Sequence, residues 1–142
     1  MPLSRLNRFK RNRLDDTSPF QIGLVFPAGL FGFEHYIRYW LIGHQKEVPF
    51  LRVEAQENST FFFYAIDPFL GCPDYTPSLN RQDLQEMGVV NEANLIMLAL
   101  VNVNERPFTM NLAAPLIIHW PKKLGKQLLM NDNPEFPLTL CL

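Results

Sequence analysis

Histidine and cysteine are the side chains here with the widest chemical repertoire, and their spacing does not favour a metal or catalytic site. The three histidines, His35, His44 and His119, form no pair at a metal-ligand spacing, and no cysteine lies near one. Cys72 and Cys141 are far apart and lack the local signature of a catalytic nucleophile. We therefore predict no metal and no cofactor, a hydrogen-bonded structural role for His119, and buried free thiols at both cysteines.

The other residue types that carry out catalysis form no recognisable constellation either. The sequence contains no G-x-S-x-G nucleophile elbow, no phosphate-binding loop and no dinucleotide fingerprint. Carboxylate pairs such as Glu54 and Glu57 fall on strand ends and loops, where a solvated surface is the ordinary interpretation. The sequence therefore favours a non-enzymatic protein, and an enzyme whose site converges only in three dimensions is a third alternative.

The charges are distributed unevenly, although the net charge is only −1. The first 13 residues carry five basic side chains and no acid, whereas residues 14–142 hold 8 basic and 14 acidic side chains, a balance of −6. An acidic body repels nucleic acid and attracts basic proteins. This asymmetry therefore predicts a basic arm attached to a domain that binds proteins.

Length and composition predict one globular, mainly β domain. The 142 residues include 47% hydrophobic and 13% aromatic residues, with 12 Pro and 12 Phe. Proline interrupts helices, whereas phenylalanine favours strands. The longest apolar run, residues 95–101, is too short to cross a bilayer, which takes about 20 residues. Sparse cysteine and the lack of a recognisable signal peptide predict a cytoplasmic protein without membrane contact.

The hydrophobic pattern predicts about eight short strands. Apolar side chains alternate clearly in residues 20–26, while residues 60–66 are nearly all apolar, as in a strand covered on both sides. Residues 94–103 would tolerate a helix, but Pro107 and the neighbouring strands favour a strand. The predicted strands cover residues 20–26, 36–42, 50–55, 60–66, 94–103, 108–112, 115–120 and 127–130.

One short helix and one hairpin turn complete the predicted architecture. Asn80 is expected to cap a helix over residues 81–87, and Gly88 is expected to end it. Residues 122–126 are predicted to form the hairpin turn. Together these elements predict an all-β protein, a small antiparallel β-barrel capped by one short helix.

Three regions are predicted along the chain. Residues 1–19 form a basic, flexible arm, residues 20–131 form the barrel domain, and residues 132–142 form an extended tail. Leu3, Leu6 and Phe9 leave a short amphipathic helix as an alternative for the arm, with a membrane surface or RNA as its contact.

Several motifs, in this order, resemble those of the bacterial flagellar assembly factor FliW family. Residues 26–34 match the pattern FP-x-G-x-x-GFE, and residues 109–118 match T-x-NL-x-AP followed by apolar residues. The other matching segments are Phe50-Leu51, Ile66-Asp67-Pro68, Pro73-Asp74-Tyr75 and Gly125-Lys126-Gln127. The resemblance covers residues 20–130, with His119 at a position where the family usually has Asn.

The resemblance implies a monomeric capped barrel that acts by binding proteins. Members of the family bind the RNA-binding translational regulator CsrA and relieve its repression of flagellin mRNA. They also bind unassembled flagellin in the cytoplasm. An acidic body would favour the encounter with a regulator that is basic where it grips RNA, so we expect a CsrA-like regulator and flagellin as partners and no direct nucleic-acid contact.

Two groups of candidate residues follow. Residues expected to contact a partner are acids that supply the negative field, together with one aromatic anchor: Asp74, Asp83, Glu86, Glu92, Glu105 and Tyr75. Family-motif residues expected to hold the fold are Phe26, Pro27, Gly29, Gly32, Phe33, Glu34, Asp67, Pro68, Asn111, Pro115 and Gln127. The alternative for the acids is an ordinary solvated surface. The alternative function is a nucleic-acid-binding barrel that uses the basic arm and the hairpin at residues 122–126.

Overall fold

Nine strands form one sheet in the computed structural model, which describes residues 19–104, 106–130 and 137–139. The predicted arm, apart from Pro19, lies outside the described residues, as do Glu105 and Cys141. The strands are β1 Phe20–Val25, β2 Arg38–Gly43, β3 Leu51–Ala55, β4 Phe62–Ile66, β5 Leu95–Asn102, β6 Thr109–Asn111, β7 Leu116–His119, β8 Leu124–Gln127 and β9 Pro137–Thr139.

Seven of these strands close into a barrel. Their order is β4-β3-β2-β1-β8-β7-β5, and β5 pairs back onto β4. An odd number of strands cannot alternate in direction all the way round, so one junction has to be parallel. That junction joins β1 to β8 through Val25 and Leu124, while every other pairing in the ring is antiparallel. The predicted barrel is confirmed, with this parallel junction as an addition.

Strand β5 is buried on both faces and separates two cores. Ile96 and Leu98 point into the barrel, whereas Leu95, Met97 and Ala99 face a second core outside it. Successive side chains of a strand point to opposite faces, so a strand covered on both sides reads as a continuous apolar run. The strand predicted for this ambiguous segment is therefore confirmed.

Residues 67–94, the cover segment, lie over the second core. They contain helices α1 (Pro68–Gly71) and α2 (Arg81–Glu86) and a 3₁₀ turn at Glu92–Asn94. Asn80 Oδ1 accepts the Gln82 N–H at 2.7 Å, and Gly88 follows α2 with a φ of 71°, so the predicted helix is confirmed. Helix α1 is a single turn that begins at a proline, with Asp67 as its N-cap.

The hairpin turn lies earlier than the sequence indicates. A 3₁₀ turn at Trp120–Lys122 and the left-handed Lys123, with a φ of 54°, join β7 to β8. Gly125 and Lys126, assigned to the turn from the sequence, are therefore strand residues. Strand β9 pairs with β6, so the sheet also continues beyond residue 131, where the predicted domain ends.

Strand β4 is covered less completely than predicted. Ala65 and Ile66 are buried, whereas Phe62 is 36% exposed. The ladder with β5 begins only at Tyr64, so the first half of β4 extends past its neighbour. One end of the apolar run at residues 60–66 is therefore buried, and the other end lies at the surface.

Two buried tyrosines differ in hydrogen bonding. The Tyr75 hydroxyl donates to the Leu112 carbonyl at 2.6 Å in the second core. The Tyr39 hydroxyl, inside the barrel, has no hydrogen-bond partner among the described residues. Burial, helped by the nearby Tyr36, raises the pKa of Tyr39 to about 12. The raised pKa means that the stability linked to the neutral hydroxyl is complete below pH 10 and is lost as pH rises through about 12.

Substituting each tyrosine by phenylalanine should therefore have opposite effects. Tyr39→Phe should leave the free energy of unfolding unchanged or raise it by about 1–3 kcal/mol, because a buried unpaired hydroxyl is removed. Tyr75→Phe should lower it by about 1–3 kcal/mol, because the Leu112 carbonyl loses this donor. Urea unfolding at pH 7 measures both changes, and Tyr39→Phe should also lose less stability than the wild type above pH 10. A greater loss from Tyr39→Phe than from Tyr75→Phe would contradict this assignment.

Candidate protein-binding surface

Residues 26–34, the motif loop, follow β1 and send apolar side chains into the barrel. Phe26 and Leu30 are 0% and 1% exposed and belong to the barrel core. Gly29 and Gly32 both have positive φ, 69° and 84°, a conformation that residues with a Cβ rarely adopt. Glu34 Oε1 accepts the Gly32 N–H at 3.0 Å, which fixes the end of the loop.

Gln127 ties the motif loop to a second motif segment. Its Oε1 accepts the Phe31 N–H at 2.8 Å, and its Nε2 donates to the Ala114 carbonyl at 3.1 Å. Asn111 Oδ1 accepts the N–H groups of Ala113 and Ala114, each at 3.1 Å. These family-motif side chains thus satisfy backbone groups of two neighbouring loops.

Four motif residues lie between strands: Pro27 and Pro115 in loops, and Asp67 and Pro68 at the start of α1. Pro27 is exposed at the start of the motif loop, whereas Pro68 and Pro115 are buried. Asp67, also buried, accepts the Phe69 N–H at 2.9 Å and so caps α1. Most of these motif residues therefore set backbone geometry.

An aromatic patch lies beside the motif loop and consists of Phe33, Tyr36, Phe61 and Phe63. The Phe33 ring centroid lies 4.7 Å from that of Phe61 and 5.7 Å from that of Phe63, and Tyr36 lies 4.9 Å from Phe61. Phe33 is 36% exposed, and Phe31, in the same loop, is 50% exposed. Exposed, pre-ordered aromatic side chains are typical of protein-binding surfaces.

The β7–β8 hairpin and α2 are held together by contacts that we call the clamp. Lys126 Nζ donates to Asp83 Oδ1 at 2.6 Å and to Glu86 Oε2 at 2.9 Å. These hydrogen bonds, first to Asp83 and then to Glu86, raise the pKa of Lys126. His119 Nδ1 lies 3.1 Å from the Met87 carbonyl at the end of α2, which is the structural role predicted for this histidine.

The other two hairpin lysines also contact the protein itself. The Lys122 ammonium lies over Gly88, where a larger side chain would collide with it. Lys123 Nζ donates to the Trp120 carbonyl at 2.7 Å and lies 3.8 Å from the centre of the Trp120 ring. The hairpin is therefore engaged with α2 and with its own turn, which weakens its assignment as a nucleic-acid contact.

The structure separates the residues predicted to contact a partner. Asp83 and Glu86 belong to the clamp, whereas Asp74 and Glu92 are exposed on the cover segment and make no ion pair within the described part of the chain. Tyr75 is only 5% exposed, so the predicted aromatic anchor is instead a core residue, because its ring packs against the second core. Glu105 lies outside the described residues.

The described residues are closer to neutral than the sequence count indicates. They carry 8 basic and 9 acidic side chains, because five acids lie outside them. Those acids are Asp15, Asp16, Glu105, Asp132 and Glu135. Any electrostatic attraction exerted by the described barrel therefore depends on individual unpaired acids more than on a strong overall field.

Neither metal ligands nor a membrane-spanning helix emerge from the described residues. Within them, no group of three or more His, Cys, Asp or Glu side chains is arranged to hold a metal ion. No helix in the same ranges is long and apolar enough to cross a membrane. Cys72, predicted to be buried, is half-buried and packs against the second core.

Sequence reasoning missed the aromatic patch and the clamp. The run of Phe61, Phe62 and Phe63 is a signal for an exposed aromatic ring, because successive residues of a strand face opposite sides. That alternation singles out Phe62, however, and does not indicate that Phe61 and Phe63 pack against Phe33. In the clamp, Lys126 contacts residues that lie 43 and 40 positions earlier in the chain. A local sequence pattern cannot predict such a contact.

Comparisons with known proteins agree on one family. The model of the family described as FliW protein matches residues 8–140 of this chain. The flagellar assembly factor FliW of Alkaliphilus metalliredigens is 35% identical over 111 residues, which cover 76% of this chain and 68% of that protein. The flagellar assembly factor FliW of Thermotoga neapolitana is 32% identical over 121 residues, which cover 83% of this chain and 80% of that protein.

A solved structure extends the likeness to the fold. The crystal structure of the flagellar assembly factor FliW superposes with a TM-score of 0.72 at 25% identity, covering 79% of each chain.

The motif loop yields a test of its backbone geometry. A residue with a Cβ in left-handed backbone costs about 1–2 kcal/mol. Gly29→Ala should lower the free energy of unfolding by more than this conformational cost. The added Cβ would lie 2.5 Å from the Glu34 Cα, so the loop must also shift. Gly32→Ala is the matched control, since its Cβ would meet nothing within 4 Å and only the conformational cost applies. If urea unfolding shows that both variants lose the same free energy of unfolding, the predicted crowding at Gly29 is wrong.

The clamp yields a second test. Lys126→Met should lower the free energy of unfolding by up to about 1 kcal/mol, because partly exposed ion pairs contribute little. Since the pKa of Lys126 is raised, this contribution is complete below the ordinary lysine value and is lost as pH rises through the raised pKa. Amide exchange in α2 should become faster, whereas Lys46→Met, at an exposed lysine, should leave it unchanged. Unaltered exchange in both variants would show that the clamp does not hold α2.

Proposed function

The chain belongs to the FliW family of flagellar assembly factors, and from this premise we propose that it works in the cytoplasm by binding two proteins, a CsrA-like translational regulator and unassembled flagellin. The observation that carries the proposal is the family match over residues 8–140, together with the FliW-like fold. The protein performs no reaction in this scheme and acts as a monomer without a cofactor.

Regulation follows from linkage between the two partners. When the protein holds the regulator, flagellin mRNA is free from repression, and when flagellin occupies the protein, the regulator is released. A ligand shifts such an equilibrium only by its differential affinity for the two states, and the coupling acts equally in both directions. Free flagellin therefore has to weaken regulator binding by the same factor by which the regulator weakens flagellin binding.

The charges support the cover segment as the surface for the basic regulator. Asp74 and Glu92 are exposed there and are not neutralised by a described cation, unlike Asp83 and Glu86. Unpaired acids at an interface rim mainly accelerate the encounter with a basic partner. The alternative nucleic-acid function receives no support from the hairpin, because Lys126 is occupied by two carboxylates.

The decisive experiment is a competition among purified proteins. The wild type should bind a CsrA-like dimer, flagellin monomer should displace that dimer, and added RNA should not bind the protein alone. If the wild type binds neither protein, the proposal fails. Steep, salt-sensitive RNA binding by the isolated protein would favour the nucleic-acid alternative instead.

Charge reversal on the cover segment refines the test. Glu92→Lys should slow association with the regulator at low salt, because a rim charge of the wrong sign repels the basic partner. Glu57→Lys is the matched control, since Glu57 is also exposed but lies between β3 and β4. The difference between the two variants should shrink as the Debye length falls from about 30 Å at 0.01 M to about 8 Å at 0.15 M salt. Equal association rates in stopped-flow mixing would remove the cover segment from the regulator interface.

A further inference from the structure

Strand β8 contacts a different surface of the protein with each of its two faces. Successive side chains of a strand point to opposite sides of the sheet. Gly125 and Gln127 point towards the barrel interior and the motif loop, whereas Leu124 and Lys126 point towards the second core and α2. The motif loop and the cover segment are therefore attached to one and the same strand.

The contacts with the motif loop are direct. The Phe26 ring lies against the backbone of Gly125, where an added Cβ would be 2.5 Å from two atoms of the ring. Gln127, only 7% exposed, accepts the Phe31 N–H at 2.8 Å. Because Gly125 has no side chain that could rearrange, a movement of the Phe26 ring is passed to the backbone of β8.

The contacts with α2 are equally direct. Lys126 Nζ reaches Asp83 at 2.6 Å and Glu86 at 2.9 Å, both within the helix. His119, on the neighbouring strand of the hairpin, lies with its Nδ1 3.1 Å from the Met87 carbonyl at the end of the helix. The position of the β7–β8 hairpin therefore sets the position of α2.

The two edges of β8 are held unequally. Its ladder with β7 runs along the whole strand, from Leu124 to Gln127. Its junction with β1 consists of the single Val25–Leu124 pair, in which the Val25 N–H donates to the Lys123 carbonyl at 3.0 Å. Every other junction of the described ring is a longer ladder. The hairpin can therefore tilt at this edge with the loss of few hydrogen bonds.

We propose that β8 couples the motif loop to α2, so that a change at one of them shifts the conformational equilibrium of the other. Packed side chains and hydrogen bonds that move together carry such coupling between separate surfaces. The tilt of one strand moves the side chains on both of its faces at once. The linkage between two partners thereby gains a physical route from the aromatic patch beside the motif loop to the acids of the cover segment.

Substitution of Lys126 tests the coupling from the α2 side. Lys126→Met removes both ion pairs of the clamp and leaves the hydrogen bonds of the motif loop in place. We expect the Phe31 and Phe33 amides of the motif loop to exchange at least about twofold faster, because a looser hairpin opens their hydrogen bonds more often. Lys46→Met, at an exposed lysine of a 3₁₀ turn, is the control and should leave both amides unchanged.

Substitution of Gln127 tests the reverse direction. Gln127→Met removes the hydrogen bonds to the Phe31 N–H and to the Ala114 carbonyl but not the clamp. We expect the Met87 and Gly88 amides, which bond to carbonyls of α2 at 3.1 and 3.0 Å, to exchange at least about twofold faster.

A matched glutamine separates coupling from general loosening of the fold. Gln56 Nε2 also donates to a backbone carbonyl, that of Tyr39 at 3.2 Å, but away from β8. Gln56→Met should therefore leave the amides of α2 and the motif loop unchanged. The Ala55 amide, bonded to the Phe61 carbonyl at 3.0 Å, is the internal reference and should exchange at the wild-type rate in Lys126→Met and Gln127→Met.

Hydrogen–deuterium exchange of the full-length variants, followed by NMR, distinguishes the outcomes. Faster exchange on the far side of β8, with Ala55 unchanged, supports the coupling. The absence of a far-side effect in any variant that folds overturns it, since coupling is reciprocal. An equal acceleration at Ala55 also overturns it, because the substitution then loosens the whole fold. If Gln127→Met does not fold, Lys126→Met decides alone.

A partner-driven form of the coupling rests on the proposed function. A CsrA-like dimer bound over the cover segment should slow exchange of the Phe31 amide in the wild type, and this protection should be smaller in Lys126→Met. Protection confined to α2, or equal protection of Phe31 in both proteins, overturns this form of the coupling. If the dimer does not bind, the regulator part of the proposed function fails, whereas the variants without a partner still decide the coupling.

Discussion

The whole structure depends on one strand that is buried on both faces. Strand β5 forms part of the barrel wall and, with its opposite face, the floor of the second core. A sheet face left in water needs polar side chains, so the apolar outer face of β5 requires the cover segment above it. The short helices are therefore a structural consequence of β5: they have little stability of their own at four and six residues and persist through packing.

This arrangement also decides which charges remain available at the surface. The hairpin carries three lysines, and holding α2 over the second core brings Lys126 against two of the acids of that helix. Acidic and basic groups that look from the sequence like separate binding sites thereby neutralise one another. The exposed negative charges of the cover segment therefore lie outside the clamp, for example at Asp74 and Glu92. Recognition by this protein should therefore depend on the shape and exposed rings of its surface at least as much as on its net charge.

Local signals predicted the elements well, because their physical causes are local. Asn80 and Gly88 mark the two ends of α2 through a side-chain cap and a left-handed backbone, and both effects act within a few residues. The burial of Tyr75 could not be read in the same way, because its partner is the Leu112 carbonyl, 37 residues away. The divergence of β4 from β5 could likewise not be predicted from the sequence. Register depends on how two strands pair, whereas the apolar run at residues 60–66 describes only one strand.

The same distinction explains why the family motifs identify the fold more directly than the binding surface. Gly29, Asn111 and Gln127 stabilise backbone conformations that the barrel needs, so sequence matching detects them. The aromatic patch and the start of β4 instead arise where the barrel leaves rings partly exposed, at Phe33 and at Phe62. A surface of this kind is defined by what the fold fails to cover. Its partners therefore have to be sought from the three-dimensional arrangement, with the motif residues as the framework that keeps it rigid.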